Sequence, residues 1–246
     1  MKLLVSIVLL FVSQTVIGQV PYLKPLAELV DHEERGWRKV RDWVHQGRNS
    51  VEILYRYQSD ADSVLFRTQV PSEYPLGAII YHTGGLLVEG GWLRILGSGS
   101  HRLQRTVSGW NLHKSFEQYG EVPDFLLVAD DAIGGFFAVN GGEFGDDIGM
   151  VYYLGPDTLE WESLGIGYED FIWWAFNGDL DEFYSKYKWR NWRNDVRRLR
   201  GDEAFHFFPP LWYGGGIDDE SRKMPVSVEK LWEFHLAMMT DNTENK

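Results

Sequence analysis

Five carboxylates cluster in the middle of the chain, Asp130 and Asp131 before a glycine-rich stretch and Glu143, Asp146 and Asp147 after it. Acids paired across a hairpin can hold Ca²⁺ or divide acid and base work between them. Their spacing departs from the twelve-residue calcium loop, and Gly141, Gly142 and Gly145 equally suit a solvated turn. Glu160 and Glu162 alternate with Leu159, Trp161 and Ser163, as a strand with one wet and one apolar face requires, which puts Trp161 in the core. The seven histidines (His32, His45, His82, His101, His113, His206 and His235) are scattered without pairing. There is no His-Glu-x-x-His, no Gly-x-Ser-x-Gly, no phosphate-binding loop and no Cys/His metal pattern. No catalytic residue, metal or cofactor is therefore assigned.

The basic residues are distributed unevenly. Formal charge over the chain is -12, which argues against nucleic acid and anionic membrane surfaces as general partners. Yet between Lys186 and Arg200 stand Lys186, Lys188, Arg190, Arg193, Arg197, Arg198 and Arg200 against Asp195 alone. On a helix Arg190, Arg193, Arg197 and Arg200 form one stripe, and Trp189, Trp192, Val196 and Leu199 form an adjoining one. The apolar stripe would dock and the basic stripe would face outward, offering bidentate contacts to the carboxylates or phosphates of an acidic partner. The bland alternative is a set of counter-charges for the protein's own acidic loops. With 11 Trp, 12 Tyr and 14 Phe, sugar stacking is a further possibility for an aromatic off the core periodicity; Trp173 is the candidate.

The elements that would position these groups follow from patterning. Lys2, the apolar run Leu3 to Val12 and the short residues Val16-Ile17-Gly18 read as a cleaved export signal, residues 1–18, leaving Gln19 first. Ser13, Gln14 and Thr15 interrupt the run, so it is too short to span a bilayer, and no membrane span is expected after cleavage. Residues 19–246 are of a length to form one domain, and the absence of cysteine leaves its stability to packing. Helical spacing from Pro25 to Gln46, broken near Gly36, opens this part. Two β-rich blocks follow: Ala78 to Tyr81, Leu86 to Val88 and Trp92 to Leu96; then Phe125 to Ala129, Phe136 to Asn140, Met150 to Leu154 and Leu159 to Leu164. Gly84-Gly85, Gly90-Gly91, Asn140-Gly141 and Gly155-Pro156-Asp157 are the turns, predicting an antiparallel meander. A helix from Tyr168 to Phe176, a second from Asp179 towards Leu199 and a third from Val228 to Met239 occupy the C-terminal third. The fold class is α+β, a central antiparallel sheet of two β-rich blocks with helices at the N-terminus and in the C-terminal third.

Three stretches resemble a known family: Gly77-Ala-Ile-Ile-Tyr-His-Thr-Gly-Gly85, Gly91-Trp-Leu-Arg-Ile-Leu-Gly-Ser-Gly99, and the run from Ala129 through Tyr153-Leu-Gly-Pro-Asp-Thr-Leu-Glu-Trp-Glu162 to Tyr184. They are similar to the uncharacterised bacterial domain-of-unknown-function family numbered 2625, which brings no activity with it. More distantly, the order of glycine turn, strand, acidic loop, Trp-bearing strand and aromatic helix resembles the SUKH superfamily, and that similarity implies a protein-binding role. The expectation is an exported, periplasmic or secreted, non-catalytic interaction module with an acidic ligand at the Arg190 to Arg200 face. The alternative is a periplasmic hydrolase or carbohydrate-active protein using the acidic loops, and the oligomeric state is left open.

Overall fold

The computed structural model describes residues 23–214, 217 and 220–244, the last four by backbone alone. The predicted leader and the junction at Gln19 lie outside the described residues. Seven strands form one meander: β1 (Val51–Leu54), β2 (Gly85–Val88), β3 (Leu93–Leu96), β4 (Phe125–Asp131), β5 (Phe136–Asn140), β6 (Met150–Leu154) and β7 (Trp161–Gly167). Each pairs antiparallel with the next, in the order β1-β2-β3-β4-β5-β6-β7. Both β-rich blocks of the sequence thus belong to a single sheet.

Residues opposite one another in the ladder share a face, and neighbours along a strand alternate. One face carries Ile95, Ala129, Asp131, Phe137 and Tyr153. Helix α6 (Tyr168–Asn177) covers it, with Phe171 5.0 Å from the Phe137 ring; α2 (Arg35–Gln46) and α4 (Pro75–His82) pack against α6. The opposite face carries Leu87, Arg94, Asp130, Phe136 and Trp161. Trp110 of α5 (Val107–Asn111) and Trp232 of α9 (Val228–Glu244) lie 6.4 and 5.1 Å from Phe136 on that side. Among the described residues, no helix is long and apolar enough to cross a membrane.

Helices α1 (Leu26–Leu29) and α2 form the expected N-terminal pair, with the break before Arg35 and Gly36 inside α2, and α3 (Gln58–Thr68) follows β1. Ala78 to Tyr81 departs from expectation, being helical rather than a strand. An apolar run of four residues fits either element, and Pro75, preset for a first helical turn, decides it: Ala78, Ile79 and Ile80 are all buried between the sheet and the other helices. Trp161 is only half-buried, because β7 is an edge strand that begins there. Its ring stacks on Phe144 at 4.6 Å instead of entering the core.

The long helix predicted from Asp179 to Leu199 does not form. Asp179 caps as expected, its side chain accepting from Glu182 N at 2.9 Å, but α7 ends after Leu180–Phe183 and α8 covers only Trp192–Val196. Packing overrides the periodicity here. The fully buried Trp92, beside the β2–β3 turn, is surrounded by Tyr184, Trp189 and Trp192 at ring distances of 5.3, 5.9 and 4.9 Å. Bringing all three rings to one indole requires the chain to turn between them. Trp189 Nε1 also donates to Asp195 at 2.7 Å. Aromatic pairs of this kind contribute about 0.5 to 1.5 kcal/mol each beyond area burial, so the basic segment is clamped to the β2–β3 turn. After Gly201 the chain forms a hairpin of β8 (Glu203–Phe208) and β9 (Arg222–Ser227), tied to the main sheet where Phe205 N donates to Ala132 O at 2.8 Å.

Candidate functional site

The five acids of the sequence do not meet. Asp130 and Asp131 are consecutive in β4 and point to opposite faces of the sheet. Glu143, Asp146 and Asp147 lie in the exposed β5–β6 loop. Asp147 is the lock of that loop: it accepts from Tyr152 Oη at 2.7 Å, Asn140 Nδ2 at 3.0 Å and Ser163 Oγ at 3.1 Å, and the Tyr152 bond holds its carboxyl below the usual range. Among the described residues no group of acids or histidines is arranged to hold a metal.

Asp131 is enclosed in the core. One oxygen accepts from Gly135 N at 2.7 Å and Ile133 N at 3.1 Å, closing the β4–β5 turn. The other accepts from the hydroxyls of Tyr153 at 2.8 Å and Tyr184 at 3.2 Å. Burial outweighs these bonds and pushes its carboxyl up to about 6.

Asp130, on the other face, is shared by two guanidinium groups, those of Arg94 and Arg105. Arg94 sits opposite Asp130 in the ladder and is 2% exposed. Its two terminal nitrogens also donate to the carbonyls of Glu203 and Asp131, the second at 2.8 Å, while Nε has no hydrogen-bond partner among the described residues. Burial pulls Arg94 below the usual arginine range. Arg105 reaches over from the loop before α5 and donates to Gly201 O at 2.9 Å. Two buried cations therefore face one carboxylate on this side of the sheet.

A cleft of about 390 Å³ opens beside this cluster, between the sheet, the loop of residues 101–104 and the turn of residues 196–202. Arg94, Arg102, Arg197 and Arg200 line it together with His101, Gln104 and Asp202. A shallower groove of about 460 Å³ continues from it past Leu87 and Gly90 to Ser50, Val51 and Glu52, sharing Arg102 and Arg197. Gly90 has φ +69°, and a Cβ there would lie 3.5 Å from Arg197 Nε, so the guanidinium rests across the β2–β3 turn. Gly201 packs directly on the Arg102 carbonyl, and any side chain would separate the two walls.

Of the predicted basic surface, then, Arg197 and Arg200 line the cleft; Arg190 and Arg193 do not. Arg193 is exposed, 3.7 Å from Glu89 and stacked on Trp192, and Arg190 is exposed and engaged with other groups. Arg200 is forked onto the half-buried Asp202 at 2.8 and 3.1 Å, and Arg102 pairs with Glu52; both arginines are exposed. Arg197 has no ion pair among the described residues. Trp173 is 40% exposed and meets Trp43 edge-on at 6.1 Å, remote from the cleft. Sequence reading missed Arg94, Arg102 and Arg105. The available signal was a charge inside each of two apolar strands, Arg94 in β3 and Asp130 in β4, which must find a partner when buried.

Comparison with known proteins identifies the family. The model of the protein of unknown function family DUF2625 matches residues 26–231. The chain belongs to DUF2625. An uncharacterized protein of Haemophilus influenzae is 43% identical over 216 residues, covering 87% of this chain and 95% of the relative. A putative uncharacterized protein of Escherichia coli K12, YbfG, is 39% identical over 222 residues, covering 90% of this chain and all of the relative.

Proposed function

We propose that this DUF2625 protein is a non-catalytic binding module that takes an anionic group of its partner into the cleft beneath Arg197. The observation that carries this reading is the convergence of Arg94, Arg102, Arg197 and Arg200 on one concavity in a chain of net charge -12. The rest of the acidic surface repels an anion, and this cleft attracts it, so the field both steers and orients the partner. Dispersal of Asp130, Asp131, Glu143, Asp146 and Asp147 supports binding over acid-base hydrolysis, which needs carboxylates facing one substrate. The SUKH-like element order is consistent with a binding role, and the apolar leader supports one carried out after export.

The test is fluorescence anisotropy with a labelled poly-L-glutamate at low salt. Wild type is expected to bind saturably, the R102E/R197E double variant to lose binding, and R198E, an exposed position outside the cleft, to retain most of it. Equal losses in both variants would show that net charge alone is responsible.

A further inference from the structure

Resting on that reading, we infer that the anionic group is a phosphate monoester rather than a carboxylate, held by the forks of Arg102, Arg197 and Arg200 above the Arg94–Asp130–Arg105 cluster. Three guanidinium groups reach the same cleft, and they differ in how firmly they are already engaged. Arg197 has no ion pair among the described residues. Arg102 and Arg200 are paired with Glu52 and Asp202, but their side chains are 53% and 69% exposed. Exposed pairs are weak, so either arginine can turn to a ligand at little cost. Each guanidinium presents two parallel donors. A carboxylate has two oxygens and one charge, and one fork neutralises that charge. A phosphate monoester has three terminal oxygens and nearly two charges at neutral pH, which match three forks.

The floor of the cleft supports the same choice. Arg94 and Arg105 share the single carboxylate of Asp130, and Arg94 lines the cleft while almost wholly buried. Arg94 brings a further cation to the cleft beneath the three forks, and a field built from several guanidinium groups favours a dianion over a monoanion. The adjoining groove, with Leu87, Val51, Ser50 and Glu52, gives the organic part of the ester an apolar wall and hydrogen-bonding groups. The ligand class is therefore a compact phosphorylated molecule, free or as a phosphorylated side chain.

Isothermal titration calorimetry with phenyl phosphate and benzoate, which share one ring, separates the two headgroups at constant ionic strength. Expected are one site per chain for phenyl phosphate, affinity at least tenfold above benzoate, and a tenfold or greater loss in R197A with R198A unchanged. R197K keeps the charge but loses the fork, and is expected to bind severalfold more weakly than wild type. Equal affinity for the two probes, or R197K binding as tightly as wild type, would overturn the inference. If benzoate and poly-L-glutamate bind in an Arg197-dependent manner without phosphate preference, the inference fails and the binding-module reading stands. If neither probe nor poly-L-glutamate binds, both fail.

Discussion

Replacing Asp131 by Asn should change how the stability of the protein depends on pH. In the folded protein its carboxyl is pushed up to about 6 from an ordinary 3.8, chiefly by burial. An acid whose pKa is raised on folding costs nothing below the unfolded value, where both states are protonated. As pH rises, the unfolded chain releases its proton first and folding becomes less favourable, until the cost is complete above the folded pKa. A difference of about two pH units corresponds to roughly 3 kcal/mol of destabilisation at pH 7, of which about 2 kcal/mol is relieved on acidification to pH 4. The asparagine side chain of D131N keeps an oxygen for the Gly135 and Ile133 amides and turns its own amide towards Tyr153 and Tyr184. It has no charge to desolvate. The variant therefore lacks this contribution, although other carboxylates still titrate in both proteins. Urea melts of wild type and D131N from pH 4 to pH 7 at fixed ionic strength isolate it as the difference between the two curves. On acidification across that range the wild type should gain about 2 kcal/mol relative to the variant. Parallel curves, or a wild type that loses ground on acidification, would mean that the two tyrosines and two amides fully offset burial.

Other substitutions probe the remaining supports. Asp130→Ala leaves two buried guanidinium groups without their shared carboxylate and should cost about 3 to 5 kcal/mol in a denaturant melt; a cost below about 1 kcal/mol would show that the cluster is solvated. Trp161→Ala should cost about 2 kcal/mol, below the value for a core Trp, because the ring is half-buried against Phe144. Gly201→Ala should part the cleft walls, weakening phenyl phosphate binding while the far-UV circular dichroism stays as in wild type. Intact mass of protein from the cell envelope should correspond to a chain starting at Gln19, and a species retaining Met1 would rule out the cleaved leader.

The meander was legible because its turns carry their own chemistry. Asn140-Gly141 and Gly90-Gly91 mark strand ends locally, and the alternation between them places side chains on faces without reference to the rest of the chain. Ala78 to Tyr81 was not legible, since a short apolar run buried on all sides has no period to report. The segment after Asp179 misled for a different reason. Its Trp and Arg residues recur at helical intervals, but Trp189 and Trp192 bury themselves as predicted by turning about Trp92, a residue far earlier in the chain. The same distance explains the half-read site. Arg197 and Arg200 announce themselves by local charge density, whereas Arg94 and Arg102 join them only because β2 and β3 lie under the 196–202 turn.

The most direct test of the cleft is NMR of arginine Nε–Hε groups during titration with inorganic phosphate, ionic strength held constant with chloride. Arg94, Arg102, Arg197 and Arg200 should shift together along one saturable isotherm while Arg193 and Arg198 stay in place. Linear, unsaturated shifts spread over all exposed arginines, with Arg94 unmoved, would contradict a built anion site.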